Sequence, residues 1–257
     1  MREVGVLPGV VSSRVRLVDR HEQAALLRRL HLEPPILVLP NAWDVASAKL
    51  LAAIPGVQAL ATSSAAVARS LGFEDGEQTP AAVMIAAAQR IADAVPLPVT
   101  ADLEAGYGNP LATAQAAWDG GLAGLNLEDS RGGVLRPVAE QSALIAEIRI
   151  AVPELVINAR IDVFVEGTGA VDEAVERAAA YLAAGADCVY PILCPPETIP
   201  ELVRRITGPV NVLLAPGTPG PVELDRLGVA RATWGSGLAA AAYGEAVRIA
   251  TAAVSAG

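Results

Sequence analysis

The segment VTADLEAGYGNP (residues 99–110) sets two carboxylates, Asp102 and Glu104, in an otherwise apolar run that a Gly-rich turn closes. Burying an unpaired carboxylate is costly, so these two either sit at an exposed strand end or hold something positive. Two more acids, Glu128 and Asp129, end the run GLNLED, and Asn158, Arg160 and Asp162 alternate in NARID. Alternation in a strand puts every second side chain on one face. By that period Asp102 and Glu104 share a face, Asn158, Arg160 and Asp162 share another, and only one of Glu128 and Asp129 can point the same way. Three inward carboxylates without His or Cys make a hard oxygen site suited to Mg²⁺ or Mn²⁺. Such an ion would supply the positive charge that Asp102 and Glu104 call for.

Blander roles exist for each residue taken singly. Strand-end acids often cap the next helix or pair with a neighbouring Arg, and Ser63 and Ser64 alone read as a turn. Asp44 reads as the N-cap of the helix opening DVASAKLL. GYG (106–108) and GSG (235–237) are weak anion-loop signals, the second at a helix start. It is the grouping of Asp102, Glu104 and Glu128 on neighbouring strands that favours a site.

The elements that must position these residues repeat along the chain. Apolar or β-branched runs at 36–40, 57–63, 97–102, 121–129, 155–161, 186–191, 209–214 and 229–235 read as strands. Ala-rich amphipathic segments follow, among them 44–54, 80–95, 171–185 and 237–254, with Pro, Asp or Ser at their starts and Gly at their ends. Eight strand–helix units predict a (β/α)8 TIM barrel, with parallel strands covered on both faces. An open doubly wound sheet would place a Gly-rich phosphate turn after its first strand, and ILVLPNAWDVAS has none. The expected organisation is one barrel domain over 1–257 with a short N-terminal extension of about residues 1–33. Chemistry is then expected at the C-terminal ends of the strands, where the polar residues gather.

Bulk composition narrows the class. The chain has 257 residues, 53% hydrophobic and 18% charged, with a formal charge of −9. Such a balance, without Lys/Arg clusters, argues against a nucleic-acid partner. Cys188 and Cys194 match no zinc spacing and read as packing residues, and His21 and His31 both precede the first strand. Catalysis in the body of the chain must therefore rest on carboxylates, Arg, Tyr, Ser or an oxygen-bound metal. No targeting or membrane-spanning segment is expected, which reads as a soluble, cytoplasmic protein.

LPNAWDVASAKLL (39–51), TSSAAVARSLGFED (62–75), ADLEAGYGNP (101–110), GLNLEDS (124–130), NARIDVF (158–164) and LGVARATWGSGL (227–238), in this order, resemble the isocitrate lyase/phosphoenolpyruvate mutase superfamily. The resemblance implies that Asp102, Glu104 and Glu128 hold Mg²⁺, partly through water. It implies that Ser63, with the backbone around Ser64 and Ala65, binds the carboxylate of a 2-oxo or 2-hydroxy acid. Arg160 would stabilise an enolate oxygen, Asp75 would approach the reacting end, and Tyr107 would offer a phenol proton beside the metal. Homo-oligomers, dimers or tetramers, are also implied.

The sequence departs from the superfamily in the loop after the fourth strand. Its lyases carry Lys and Cys-Gly-His there and its mutases Lys and Asn, whereas EDSRGGVLRPVAEQ (128–141) has none of these. Ile192 stands where many lyases place Glu. What remains is C–C cleavage, by retro-aldol or decarboxylation, of a small 2-oxo or 2-hydroxy (di)carboxylate, with Arg131 or Arg136 as candidates for its distal carboxylate. A phosphonate C–P mutase or hydrolase and a non-catalytic binding barrel are the alternatives.

Overall fold

The computed structural model describes residues 19–255. All eight expected strands form: β1 (Leu37–Leu39), β2 (Leu60–Thr62), β3 (Val99–Asp102), β4 (Gly124–Glu128), β5 (Val156–Ile161), β6 (Cys188–Pro191), β7 (Asn211–Leu213) and β8 (Arg231–Thr233). They are parallel and neighbour one another in chain order, with β8 back beside β1. A single bridge, Val189 to Val210, joins β6 to the β7 side. The fold is therefore a (β/α)8 barrel, as the alternating pattern predicts.

The first strand is broken in a way that alternation does not reveal. Leu37–Leu39 pairs with β8, whereas Asn41–Ala42 pairs with β2. Pro40 lies between the halves, and having no N–H it cannot donate to a ladder. Its carbonyl instead accepts from Ala61 N–H at 3.1 Å.

Helices α2 (Val45–Ala52), α3 (Ser64–Leu71), α4 (Ala81–Asp93), α5 (Pro110–Asp119), α6 (Val138–Ala151), α7 (Val171–Ala183), α8 (Ile199–Arg205), α9 (Pro221–Leu227) and α10 (Gly237–Val254) follow the strands. Local chemistry starts several of them. Asp44 caps α2 in a reciprocal capping box with Ser47, and Asn109 caps α5 ahead of Pro110. Between β4 and α6 lies a small antiparallel hairpin, Ser130–Arg131 with Val134–Leu135, which the sequence pattern does not announce.

Of the expected N-terminal extension, residues 1–18 lie outside the described residues. The rest includes α1 (Arg20–Leu30), capped by Asp19, which buries Ala24 and Leu27. Its Arg28 donates to Asp187 Oδ1 at 2.7 Å and to the Glu154 carbonyl at 2.9 Å, just ahead of β6 and β5. Helix α1 thus plugs the end of the barrel opposite the strand C-termini. Among the described residues no helix is long and apolar enough to cross a membrane.

Candidate active site

Strand β3 ends at Asp102, and that position decides the side chain's partners. Its Oδ2 accepts from Ser64 N–H at 3.1 Å and from the Ser64 hydroxyl at 2.9 Å, so the start of α3 grips one carboxylate oxygen. The other, Oδ1, is buried and has no hydrogen-bond partner. Ser63 is the N-cap of α3, its hydroxyl accepting weakly from Ala66 N–H at 3.4 Å. With the Ser64 and Ala66 amides so engaged, Ala65 keeps a first-turn N–H that has no intrahelical carbonyl to meet.

Glu104 does not share a strand face with Asp102, as period-two alternation predicts, because the strand has already ended. Glu104 lies in the following turn at φ 50°, with Gly106, Tyr107 and Gly108 also at positive φ. Gly106 is required there, since a Cβ would come within 2.6 Å of Pro110. The turn carries the Glu104 carboxylate back to the barrel mouth, where Oε2 accepts from Glu77 N–H. Oε1 accepts from the Tyr107 hydroxyl at 2.7 Å. That bond directs the Tyr107 phenol proton to Glu104, and Tyr107, like Asp102, Ser63, Ser64 and Ala65, is not among the residues lining the mouth cavity. Burial and the Glu104 charge hold the phenol far above its ordinary range, so it stays protonated.

On the next two strands, Glu128 pairs with Arg160 across the β4–β5 register. Arg160 Nε also donates to Asp162 Oδ1 at 2.6 Å, while the Ser130 hydroxyl donates to Oδ2 of the same carboxylate. Burial, outweighing the Arg160 guanidinium, pushes the Glu128 carboxyl up to about 9, and the charges of Asp102, Asp162 and Glu104 add to that rise. Of the adjacent acids only Glu128 faces the mouth. Asp129 turns outward to Tyr181 OH at 2.7 Å and Arg177 Nη1 at 3.0 Å.

A cavity of about 250 Å³ opens at this end of the barrel, lined by Asp75, Glu77, Glu104, Glu128, Asp162 and Glu166 among acids and by Arg131 and Arg160 among cations. Asp75 arrives on the loop after α3, its carboxyl raised by burial and by the Asp102 charge. Glu77, from the same loop, escaped sequence reasoning because no periodicity marks an irregular loop, and it sits at φ 60°. Arg136 does not line the cavity, contrary to expectation. Its guanidinium is consumed by the Ala105 carbonyl at 3.1 Å, Gln141 Oε1 at 2.9 Å and the Glu128 carbonyl. Arg131, on the hairpin between β4 and α6 that overlies the mouth as its lid, is the arginine of this loop that lines the cavity.

The donor set fits a divalent cation on two observations. Asp102 Oδ1 is a buried carboxylate oxygen without a partner, which a hard cation would satisfy. Burial first, and the repulsion among these acids second, lifts Glu128, Glu104 and Asp75, and a cation among them would offset both effects. Among the described residues no three His, Cys, Asp or Glu side chains already stand together as a metal-holding group. Asp102, Glu104 and Glu128 are the residues that would hold such an ion. Cys188 and Cys194 are free thiols pushed up by burial to about 12 and about 11, consistent with packing roles.

Comparison with known proteins bears on this arrangement. A family model described as phosphoenolpyruvate phosphomutase matches residues 27–254. An uncharacterised protein of Mycobacterium tuberculosis is 38% identical over 224 residues, covering 83% of this chain and 85% of its own. The 2-methylisocitrate lyase of Bacillus subtilis is 32% identical over 185 residues, 67% of this chain and 60% of the lyase. A crystal structure from Burkholderia cenocepacia J2315, of a protein provisionally described as a phosphonomutase, is 40% identical with a TM-score of 0.82, covering 91% of this chain and 99% of that one. Relatives with lyase and mutase names thus share one barrel, and the chain belongs to the phosphoenolpyruvate phosphomutase family of the isocitrate lyase/phosphoenolpyruvate mutase superfamily.

Proposed function

We propose that the protein is a Mg²⁺-dependent carbon–carbon lyase acting on a small 2-oxo or 2-hydroxy (di)carboxylate, with Mn²⁺ as an alternative ion. The observation that carries this reading is Arg160, a guanidinium fixed by Glu128 and Asp162 in the lining of an acid-rich cavity, together with the unpartnered Oδ1 of Asp102, whose carboxylate charge acts on that guanidinium. Asp102, Glu104 and Glu128 would hold the ion, which when bound supplies Lewis-acid polarisation of the substrate oxygens. The free first-turn N–H of Ala65, with Ser63 and Ser64 around it, would receive the substrate carboxylate.

When the C–C bond breaks, its electron pair passes to the oxygen of the adjoining carbonyl or carboxylate. Arg160 lies where it offsets that growing charge without reorganising. In retro-aldol cleavage the 2-hydroxyl proton leaves to a carboxylate of the mouth, a carbonyl forms, and the other fragment departs as an enolate. Asp75, whose raised carboxyl retains a proton more readily than an ordinary Asp, is the group we assign to return one to it. The relatives' names support lyase chemistry, 2-methylisocitrate lyase among them. Lys49, on α2, is the chain's one lysine, so the lid brings no lysine to handle a phosphoryl group. The same reading has the protein as a cytoplasmic homo-oligomer.

Proton and phosphorus NMR time courses on purified protein test it, with methyl-substituted malates, methylisocitrate, oxaloacetate and phosphonopyruvate, each with Mg²⁺ or EDTA. Metal-dependent cleavage of a carboxylate substrate, abolished by Asp102→Ala, is expected. Turnover of phosphonopyruvate alone would favour C–P chemistry, and binding without turnover of any acid would favour a non-catalytic barrel.

A further inference from the structure

The acids lining the cavity outnumber its cations, Arg160 and Arg131. Arg160, held by Glu128 and Asp162, is the guanidinium assigned to the reacting oxygen, so Arg131 is the other cation in the lining open to a second anionic group. Arg131 stands on the lid hairpin, beside Gly132 and Gly133 at positive φ, and its side chain is half-exposed. Its Nε donates to Glu77 Oε2 at 2.9 Å. Among the described residues Nη1 and Nη2 make no hydrogen bond, so the terminal fork of the guanidinium is free.

Glu77 cannot swing away with the lid, because its other oxygen accepts from Tyr107 N–H in the turn after β3. The Glu77 carboxylate is therefore a fixed post on the barrel side that orients a mobile-length side chain on the lid side. Gly108 completes the fit, since a Cβ at that position would come within 3.2 Å of Arg131 Nη2. A planar guanidinium held at Nε, with both Nη groups open, presents the geometry that receives a carboxylate bidentately.

We propose that Arg131 binds the second carboxylate of a dicarboxylate substrate and that Glu77 positions it, so that this pair selects 2-hydroxy or 2-oxo dicarboxylates over the corresponding monocarboxylates. The proposal rests on the reading that 2-oxo or 2-hydroxy acids bind at this mouth.

Malate and lactate test the proposal, since both are 2-hydroxy acids and malate adds only the distal carboxylate. Their binding to the full chain in Mg²⁺ is measured by calorimetry for wild type, Arg131→Met and Arg131→Lys. Wild type is expected to prefer malate. Arg131→Met should weaken malate at least tenfold while moving lactate less than twofold, and Arg131→Lys should restore part of the loss. Equal changes for the two acids, or unchanged malate affinity in Arg131→Met, would overturn the selection role and leave the proposed function standing. Failure of both acids to bind wild type would overturn both.

Discussion

Arg160 owes its place to two carboxylates that approach from different directions, Glu128 from β4 and Asp162 from just past the end of β5, two residues on. A guanidinium satisfies both through Nη1 and Nε at once, whereas an ammonium is a point donor on a flexible stem. Arg160→Lys therefore keeps the charge and loses the fixed aim. On the substrate that the NMR panel identifies, kcat/KM should fall by about 10²–10³, the scale of losing one preorganised oxyanion donor. Most of the loss should be in kcat, with an unchanged circular dichroism spectrum as the control for folding. Retention of activity within threefold would remove Arg160 from the charge-stabilising role.

The elements show how far sequence carries and where it stops. Strand order and the C-terminal location of Asp102, Glu128 and Arg160 follow from apolar runs and the period of two. So does the outward turn of Asp129 beside an inward Glu128. The pattern fails where backbone leaves regular structure. Glu104 reaches the mouth through left-handed turn residues, Glu77 through an irregular loop, and Arg131 on a hairpin only a few residues long. Alternation has no purchase on any of these. Arg136 fails for another reason: two arginines in one loop look equivalent in sequence, and only the acceptors around each separate them. The docking of α1 adds a consequence at this scale. His31, its C-cap, is buried with Nδ1 2.7 Å from the Leu27 carbonyl. Burial first, and the nearby Arg231 charge second, lower its imidazole to about 4 from 6.5. The unfolded chain then binds the extra proton between those values. His31 accordingly contributes stability at neutral pH that is lost as pH falls from 6.5 towards 4, about 3 kcal/mol in all. Replacing it by a residue that does not titrate, His31→Asn, should flatten urea-denaturation stability across that window relative to wild type. Parallel profiles for the two proteins would show that His31 does not titrate in this way.

At the scale of the whole molecule, α10 is the element the barrel leaves uncovered. It runs from Gly237 to Val254, eighteen residues, and within it only Ala239 is buried. Tyr243, Val247 and Val254 are exposed apolar residues, and at spacings of four and seven they fall along one stripe of the helix. Tyr243 touches the barrel edge-on at Trp43, while Val247 and Val254 stand clear in this protomer. Helices of this length are marginal in water without packing, since nucleation is costly and propagation adds little per residue. Ala-rich composition helps the backbone, yet it does not remove the cost of exposing the stripe. A second copy of the chain presents the same apolar stripe, so self-association would bury both, as in an isologous interface. On this argument wild type should run as a dimer or tetramer in size-exclusion chromatography with light scattering. The double variant Val247→Glu/Val254→Glu should shift the mass towards the monomer. It should also lose helical signal, because α10 would then lack the cover that holds it. A monomeric wild type, or a double variant of unchanged mass, would mean that α10 is not the contact and that its helix stands without a partner.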